Sequence, residues 1–501
     1  MALGAGGCVA LGLAFHAPGG FLVAWGALLP LLGLACLTSR RGFRWGVAAV
    51  ALLHGPCLAP WLPRAARLYA LNPIPLAIGV GLAWLLVGLA LTAWVALARR
   101  LLGGGGPPAA RAILVAAAWV AVEHARTLVH GVVPGSGPFY LLGYTQAAAL
   151  PLVQVADATG VFGISFLVAL VGTSAFLALR ERGARRSLAV LAAATVAGAL
   201  GYGVARLGDP PRGEPLRVGV VQVDLPSGVR WHAARYQPAF ELYQKLTRRA
   251  AAAGARLVVW PENAVPVYFR HEAGIEAAVK AVSAQTQAFL LFGTPDFAGD
   301  PAAGVTQNTA LLLDPEGSLV GRYVKRRPVP FAERLPLYGW LGGLYRKGRS
   351  SDMLAGDQAA PLAFRGGRPG PLICWEAAFP GLVRDSVRRG ADLLVNLASE
   401  SSFGSDDARE EMLRHASLRA VEFRRWLVRA ANGGVSAVIS PDGRIRERSR
   451  SGPTVLVHDV ERLTGETFYA RHGDLFAYAC IVATAAGLLA GRPVRRAGVP
   501  A

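Results

Sequence analysis

The stretch PLICWEAAFP, residues 371–380, places a cysteine at the end of an apolar run and follows it at once with an aromatic residue and a carboxylate. The apolar run is typical of a buried strand, so we predict that Cys374 lies at a strand end, with Trp375 and Glu376 directly after it. A buried thiol usually acts as a small hydrophobic side chain, whereas a reactive thiol needs a neighbouring base. The rest of the sequence decides between these two uses.

The composition divides the chain into membrane and soluble parts. The chain has 501 residues, of which 53% are hydrophobic and 17% charged, and its mean hydropathy of +0.37 is too high for an ordinary soluble protein. The apolar residues are concentrated in the first 206 positions and near the C-terminus. We therefore predict a transmembrane domain of about seven helices over 1–206, an extramembrane domain over 215–465 and a C-terminal transmembrane helix over 475–491.

Membrane helices are predicted where about 20 largely apolar residues follow one another. The candidate stretches are 5–17, 20–38, 46–62, 75–98, 111–130, 151–179, 187–206 and 475–491. The first is short and interrupted by glycine and proline, so it also resembles the apolar region of a signal peptide. Because a second span follows at once and no tidy small-residue cleavage site is present, we favour a retained helix.

The arginines between the spans predict the orientation. They follow the second span, connect the fourth and fifth, and follow the sixth and the last: Arg40, Arg41, Arg44, Arg99, Arg100, Arg111, Arg180, Arg182, Arg185, Arg186, Arg492, Arg495 and Arg496. These loops all fall on one side, which the positive-inside rule assigns to the cytoplasm. Both termini are then cytoplasmic and the soluble domain extracytoplasmic, although Arg64 and Arg67 are a minority on the other face.

The net charge of +20 does not predict nucleic-acid binding. Many of the arginines have the topological explanation just given. The basic residues of the soluble domain are dispersed and are not interleaved with the aromatic residues that single-strand binding uses.

Strands and helices alternate in the soluble domain, which favours an α/β layered fold. The predicted strands are 216–224, 255–262, 288–296, 308–317, 370–376, 391–398 and 435–443. The predicted helices are 233–253, 270–287 and 407–424. The turn sequences DPEG (314–317) and SPDG (440–443) predict hairpins.

Three strand ends carry reactive side chains, and catalytic groups tend to collect at strand ends in such sheets. Glu262 lies in VVWPENAVP, Lys325 and Glu333 in GRYVKRRPVPFAERLP, and Cys374 in PLICWE. The chain has four lysines among its 52 basic residues, so a lysine directly before two arginines is selected for its compact, titratable ammonium. Cys374 is the one cysteine of the soluble domain and has no disulfide partner there, so we expect a reactive rather than a structural thiol.

A glutamate, a lysine and a lone cysteine form a coherent nucleophilic set. The glutamate takes the thiol proton, the thiolate attacks an acyl carbon, and the ammonium stabilises the oxyanion that develops. The sequence contains no HExxH motif, paired CxxC motif or phosphate loop, so we predict that no metal or cofactor is needed.

In this order and at these separations, WPE, YVKRRPVPFAE and LICWE resemble the Glu–Lys–Cys nitrilase superfamily. Together with the membrane spans they resemble the apolipoprotein N-acyltransferases. The resemblance covers almost the whole chain. It includes GSGPFYLLGYTQ (135–146), TGVFGISFL (159–167), VQVDLPSGVRW (221–231) and the stretch from 414 to 443.

The resemblance implies a multi-pass α-helical membrane domain and a nitrilase-like four-layer αββα sandwich. It implies that Glu262 is the proton acceptor, Lys325 the stabilising lysine and Cys374 the nucleophile. Glu333 and Glu376 match supporting glutamates, and the residue after the nucleophile, Trp375, stands where the family usually has tyrosine. Trp231 matches a substrate-site tryptophan, and Phe403 belongs to a substrate-shaping motif.

The resemblance also implies the reaction and its place. A phospholipid, commonly phosphatidylethanolamine, donates an acyl chain to a cysteine thioester. The thioester then acylates the α-amine of an apolipoprotein's diacylglyceryl-cysteine in a ping-pong reaction. The enzyme is implied to lie in the bacterial inner membrane with its catalytic domain in the periplasm, and we expect a monomer.

The segment LPLYGWLGGLYRKG (335–348) independently supports a lipid substrate. It is predicted to be an apolar, glycine-rich loop, and its aromatic residues, including Trp340, suit a membrane interface. The alternative is a loop that packs on the core of its own domain. The chain departs from the family where SESSFG (399–404) replaces the common NDAWFG, so that Ser402 stands in place of a tryptophan, and where GPF (137–139) replaces FPW. These departures bear on the acyl-chain and head-group preference.

Other functions remain as alternatives. In a membrane-anchored nitrilase-type amidase, water rather than an amine would resolve the thioester. A non-catalytic binding protein would not need the set of Glu262, Lys325 and Cys374. A transporter is disfavoured because the halves of the membrane region show no repeat.

Overall fold

The computed structural model describes residues 1–67, 73–128, 137–224, 233–330, 333–334, 353–401, 403–449 and 451–490. The chain forms two compact units. The first, here called the helical unit, contains Met1–Pro60, Ala77–Gly208 and the residues from His472 onward. The second, here called the sandwich unit, contains Trp61–Leu76 and Asp209–Arg471.

Apolar helices build the helical unit. Up to residue 208 the chain forms α1 (Ala2–His16), α2 (Gly20–Val23), α3 (Leu29–Leu37), α4 (Arg40–Leu58), α5 (Leu62–Arg67), α6 (Pro73–Gly103), α7 (Pro108–Leu128), α8 (Leu150–Val153), α9 (Ala156–Thr159), α10 (Val161–Arg180) and α11 (Arg185–Gly208). Of these, α5 groups with the sandwich unit. A last helix spans Leu475–Ala490. Among the described residues, four helices are long and apolar enough to cross a membrane: Ala77–Gly103, Pro108–Leu128, Val161–Arg180 and Arg182–Gly208.

Two of the predicted spans are not continuous helices, and the expectation of unbroken helices over 20–38 and 151–179 was wrong. The first is divided into α2 and α3, which are joined by turns, and Pro30 lies in the first turn of α3. The second consists of α8, α9 and α10, and Gly160, with φ of 64°, separates α9 from α10. Gly160 ends α9 because its positive φ leaves the helical backbone, and Pro30 marks the start of α3 because proline is tolerated in the first turn of a helix but not in its interior.

A buried carboxylate and an arginine of α7 fix the chain that precedes α8. Glu123 accepts a hydrogen bond from the Leu142 amide at 2.6 Å. Arg126 donates to the carbonyl oxygen of Phe139 at 2.7 Å. These two ionisable side chains of α7 thus bind the backbone of the GPFYLL segment (137–142), which is how polar groups at membrane depth are usually satisfied.

The sandwich unit contains two β-sheets. Its strands are β1 (Glu214–Gln222), β2 (Leu257–Val259), β3 (Phe289–Phe297), β4 (Thr306–Leu313), β5 (Leu319–Val324), β6 (Pro369–Ile373), β7 (Leu393–Ser399), β8 (Leu427–Asn432), β9 (Ala437–Ile439), β10 (Ile445–Arg448) and β11 (Thr454–Arg462). One sheet has six strands in the order β11-β1-β2-β3-β4-β5, and the other has five in the order β10-β9-β8-β7-β6. Strands β1, β2 and β3 are parallel, as are β6, β7 and β8.

Helices cover the outer faces of both sheets. The helices are α12 (Ala233–Ala252), α13 (Ala273–Thr286), α14 (Pro380–Arg388), α15 (Asp406–Phe423) and a short helix over Phe468–His472. One buried core lies between the two sheets and combines Val220 of β1 with Val395 of β7. A second lies between the six-stranded sheet and α12 with α13, while α14 and α15 pack on the other sheet. The layers follow the order αββα, so the predicted four-layer sandwich is confirmed.

The two predicted hairpin turns are confirmed. The DPEG turn joins antiparallel β4 and β5, and the SPDG turn joins antiparallel β9 and β10. Gly317, with φ of 81°, and Gly443, with φ of 85°, supply the left-handed backbone that these turns need. The strands β8, β10 and β11 were not predicted as strands, since arginine or glutamate interrupts the apolar pattern of each, and β5 was predicted only by its end at Lys325.

Candidate active site

Glu262 lies just beyond the carboxyl end of β2, on a chain that turns at Pro261. The preceding residue, Trp260, is fully buried and donates its indole N–H to the Thr247 hydroxyl at 2.9 Å. On the neighbouring strand β3, Gly293 has no room for a side chain, because a Cβ there would lie 2.6 Å from the Glu262 Cα. A glycine therefore lets β3 pass directly against the glutamate backbone.

Lys325 directly follows β5, and its ammonium bridges two carboxylates. Its Nζ donates to Glu262 Oε1 at 3.0 Å and to Glu333 Oε1 at 2.8 Å. Asn308 on β4 donates its side-chain amide to the same two oxygens, at 2.8 and 3.1 Å. The side chains of Lys325 and Glu262 are 2% and 4% exposed. The four residues form one hydrogen-bonded polar cluster, in which Glu262, Asn308 and Lys325 are buried and Glu333 is half-buried.

The charges in this cluster hold the lysine protonated. Burial alone would lower the pKa of Lys325, but the carboxylates of Glu262 and Glu333 outweigh it and raise the pKa well above its ordinary value. The Lys325 backbone is anchored as well, since its amide donates to the Asn308 carbonyl at 2.8 Å. A fixed positive charge thus lies beside the strand ends.

Cys374 follows β6 and begins a short 3₁₀ helix, Cys374–Ala378. Its φ of 58° is left-handed, a conformation that costs an L-residue about 1–2 kcal/mol. Burial of the thiol raises the pKa of Cys374, the Glu262 charge raises it further, and the Lys325 ammonium opposes both. The resting residue is therefore a neutral thiol whose pKa both Glu262 and Lys325 shift.

Glu376 ties the cysteine turn to the lysine strand. One of its oxygens accepts the amides of Arg326 and Arg327 at 2.6 and 3.0 Å. The other accepts the Ile373 amide at 2.7 Å and the Tyr323 hydroxyl at 2.9 Å. Burial raises the pKa of Glu376, and these hydrogen bonds oppose the rise. Every donor belongs to the chain next to Lys325 or Cys374, so the glutamate aligns the two.

Two of the predicted aromatic site residues are described and two are not. Trp375 donates its indole N–H to the Arg327 carbonyl at 2.5 Å, so it contacts the chain two residues after Lys325. Phe403 packs against Trp61 with ring centroids 5.7 Å apart. Trp231 and Trp340 lie outside the described residues.

Trp61 was not predicted as a site residue. It belongs to the segment between α4 and α6, which groups with the sandwich unit although helical-unit residues flank it on both sides. This segment lies within the predicted membrane domain, so local sequence pattern does not predict its contact with Phe403, which is more than 340 positions away.

Glu400 was not predicted either. It follows β7 directly and is 1% exposed, and its charge raises the pKa of Cys374. One of its oxygens pairs with Arg429 of β8. Its position at a strand end was a usable signal, because Glu262 and Cys374 occupy equivalent positions.

Cys374 interacts electrostatically with Glu262 and Lys325 of the cluster, and together the three have the chemistry of a cysteine nucleophile. They combine a thiol, a carboxylate able to accept its proton and an ammonium able to stabilise an anion. Among the described residues, no group of three or more His, Cys, Asp and Glu side chains is placed to hold a metal ion.

The chain matches two protein families. Residues 217–468 match the carbon-nitrogen hydrolase family, and residues 6–174 match the apolipoprotein N-acyltransferase N-terminal domain. The first match covers the two sheets and the candidate site.

Several relatives are similar over nearly their whole length. An apolipoprotein N-acyltransferase of Geobacter metallireducens is 36% identical, over 95% of this chain and 92% of the relative. Those of Azotobacter vinelandii and Gloeobacter violaceus are 32% and 31% identical, over 91% and 98% of this chain and 91% and 94% of the relatives. Among solved structures, an amidase from a Nesterenkonia species is 21% identical, covers 54% of this chain and 97% of its own, and has a TM-score of 0.40.

Proposed function

The chain belongs to the apolipoprotein N-acyltransferase family, and from this membership we propose its reaction in detail. A fatty-acyl chain passes from a phospholipid, with phosphatidylethanolamine as the first donor to test, to the α-amine of the diacylglyceryl-cysteine of an apolipoprotein. Cys374 carries the chain as a thioester between the two half-reactions. Membership supports the acylation of lipoproteins, and the cluster of Glu262, Lys325 and Cys374 supports the route.

In the first half-reaction, Glu262 accepts the thiol proton and Cys374 Sγ attacks the ester carbonyl carbon of the donor. The tetrahedral oxyanion forms beside the Lys325 ammonium, which stabilises it. When the ester C–O bond breaks, Glu262 returns the proton to the departing lysophospholipid oxygen. The products are a lysophospholipid and a thioester on Cys374.

In the second half-reaction, the α-amine of the acceptor attacks the thioester carbonyl carbon. Glu262 accepts a proton from the amine, the C–S bond breaks and the thiolate is reprotonated. The product is an amide, which is more stable than the thioester it replaces. The same base serves both halves, so no further titrating group is needed.

The contacts of Lys325 carry the proposal. Its Nζ lies 3.0 Å from one oxygen of Glu262 and 2.8 Å from one oxygen of Glu333. A lysine held by two carboxylates stays protonated and fixed, as an oxyanion-stabilising group must be. Glu333 fixes the ammonium, Glu376 and Trp375 are supporting residues, and we assign substrate binding to Trp231, Trp340 and Phe403.

We also assign the topology from the arginine distribution. The arginine-rich loops lie in the cytoplasm with both termini, and the catalytic domain over 215–465 lies on the periplasmic side of the inner membrane. This arrangement puts Cys374 on the side where lipidated proteins are matured. We expect the enzyme to act as a monomer.

The test is a two-substrate assay on the purified full-length protein in detergent. Phosphatidylethanolamine and a synthetic diacylglyceryl-cysteine peptide are incubated with the protein, and the peptide mass is measured. We expect a fatty-acyl increment on the peptide amine, which Cys374→Ala abolishes. The matched control Cys480→Ala, which removes a buried thiol of the last helix, should retain activity. Release of free fatty acid with no acylated peptide would identify a hydrolase and contradict the proposal.

A further inference from the structure

A buried polar chain lies directly behind the Cys374 turn. Asn396 of β7, fully buried, donates its side-chain amide to the carbonyl oxygens of Leu372 and Cys374, both at 3.0 Å. Arg429 of β8 donates to Asn396 Oδ1 and, through a second nitrogen, to the carboxylate of Glu400. The chain therefore runs from β8 through β7 to the backbone of the cysteine.

The two contacts of Asn396 span the place where the strand ends. Leu372 lies within β6, whereas Cys374 has left β6 and has a φ of 58°. A single amide group that binds both carbonyls holds the turn in this left-handed conformation. Because the backbone conformation of Cys374 determines the direction of its side chain, this contact helps to set the orientation of the thiol.

Arg429 determines which way the Asn396 amide faces. An asparagine side chain has a donor end and an acceptor end, and rotation by half a turn exchanges them. A guanidinium has only donors, so the oxygen of Asn396 must face Arg429 and its NH₂ group must face Cys374. Glu400 neutralises the guanidinium, which is 1% exposed.

We propose that Arg429 is a positioning residue that acts through Asn396 to hold the Cys374 backbone in its reactive conformation. The proposal rests on the proposed role of Cys374 as nucleophile and adds residues that the reaction itself does not use. Neither Arg429 nor Asn396 needs to touch the substrate. The pair sets the orientation of the thiol before any substrate arrives.

Arg425 provides a matched control. It is also buried, at 3% exposure, and lies four positions earlier in the chain. It donates to the carbonyls of Ala391 and Gly465, at 2.8 and 2.7 Å, and these contacts lie away from the cysteine turn. Loss of Arg425 should cost stability as loss of Arg429 does, without a route to Cys374.

The experiment measures the alkylation rate of Cys374 by iodoacetamide in the full-length protein, with intact-protein mass and with Cys374→Ala as the background. Arg429→Met should slow alkylation by about tenfold to a hundredfold, which is the range for a displaced reacting group. It should lower kcat with little change in KM. Arg429→Lys, which keeps a donor, should recover part of the rate, and Arg425→Met should alkylate at the normal rate.

Asn396→Asp is a second variant of nearly the same shape. An ionised carboxylate has no donor for the Cys374 carbonyl, so this variant should share the slow alkylation of Arg429→Met. If folded Arg429→Met and Asn396→Asp both alkylate at the normal rate, the proposal is overturned. Alkylation needs no lipid, so it tests the positioning role separately from the thioester. If the variants alkylate slowly but the unsubstituted protein never accepts an acyl chain, the positioning role is supported and the thioester is refuted.

Discussion

Replacement of Glu262 by glutamine separates the two effects that its carboxylate has on Cys374. The carboxylate raises the pKa of the thiol by its charge, and we propose that it also accepts the thiol proton. A purely electrostatic role predicts that Glu262→Gln makes the thiolate easier to form. A role as base predicts that the variant loses its internal proton acceptor.

The pH profile of alkylation distinguishes the two roles. In the unsubstituted protein the thiol proton moves from Cys374 to Glu262. As long as the two groups together hold one proton, the fraction of molecules with a thiolate beside protonated Glu262 does not depend on pH. We expect a rate constant that is flat between about pH 6 and 8. In Glu262→Gln the thiol must release its proton to water, so the rate should rise about tenfold per pH unit, or about a hundredfold over this range.

The assay is iodoacetamide labelling of Cys374 followed by intact-protein mass at several pH values. Glu333→Gln is the matched control, since it removes a second carboxylate from the same ammonium, 2.8 Å from Lys325 Nζ, and leaves the proposed base. Its profile should stay flat. A normal protein that already gains about tenfold per pH unit, or a Glu262→Gln profile that stays flat, would refute the role of Glu262 as proton acceptor.

Three further substitutions test the cluster and its surroundings. Lys325→Met leaves two carboxylates without their cation and should lower the free energy of unfolding by about 3–5 kcal/mol in a denaturant titration. Adding Glu333→Gln to Lys325→Met removes one of the two unpaired charges and should restore part of that free energy. Because the folded-state pKa of Lys325 is raised, its contribution should persist through neutral pH and be lost only as pH rises through that pKa; loss near pH 7 would contradict this. Glu376→Gln should cost about 1–3 kcal/mol in the same titration, since two backbone amides that share one carboxylate oxygen lose an ionised acceptor, and an unchanged midpoint would contradict the alignment role. Trp61→Ala removes the ring beside Phe403 and should raise the KM for the phospholipid more than it lowers kcat, whereas unchanged kinetics would exclude Trp61 from the donor site.

Much of the candidate site was predictable because it lies at strand ends. Glu262 and Cys374 each follow an apolar strand and Lys325 follows β5, a strand of mixed composition, and a turn or a change of composition marks each end. Their chemical types then suggest a nucleophile, a base and a cation. The structure adds the contact of Lys325 with both Glu262 and Glu333, which spacing alone does not determine.

The supporting residues were not predictable, since their partners are distant in sequence. Asn396 binds carbonyls 22 and 24 positions away, and Arg429 binds an asparagine 33 positions away. Arg429 lies in β8, shortly after a helix and two other arginines. The local sequence therefore does not distinguish Arg429, as a buried charge, from the arginines before it. Likewise the breaks in the predicted spans arise at single residues such as Gly160, which a hydropathy window averages away.

The most direct test of the proposed reaction is the mass of the intact protein after incubation with phosphatidylethanolamine and without an acceptor. A thioester on Cys374 predicts a fatty-acyl increment that neutral hydroxylamine removes, that Cys374→Ala never acquires, and that a diacylglyceryl-cysteine peptide discharges onto its own amine. Acylation of the peptide by a protein that never shows this increment, or by Cys374→Ala, would contradict a thioester on Cys374.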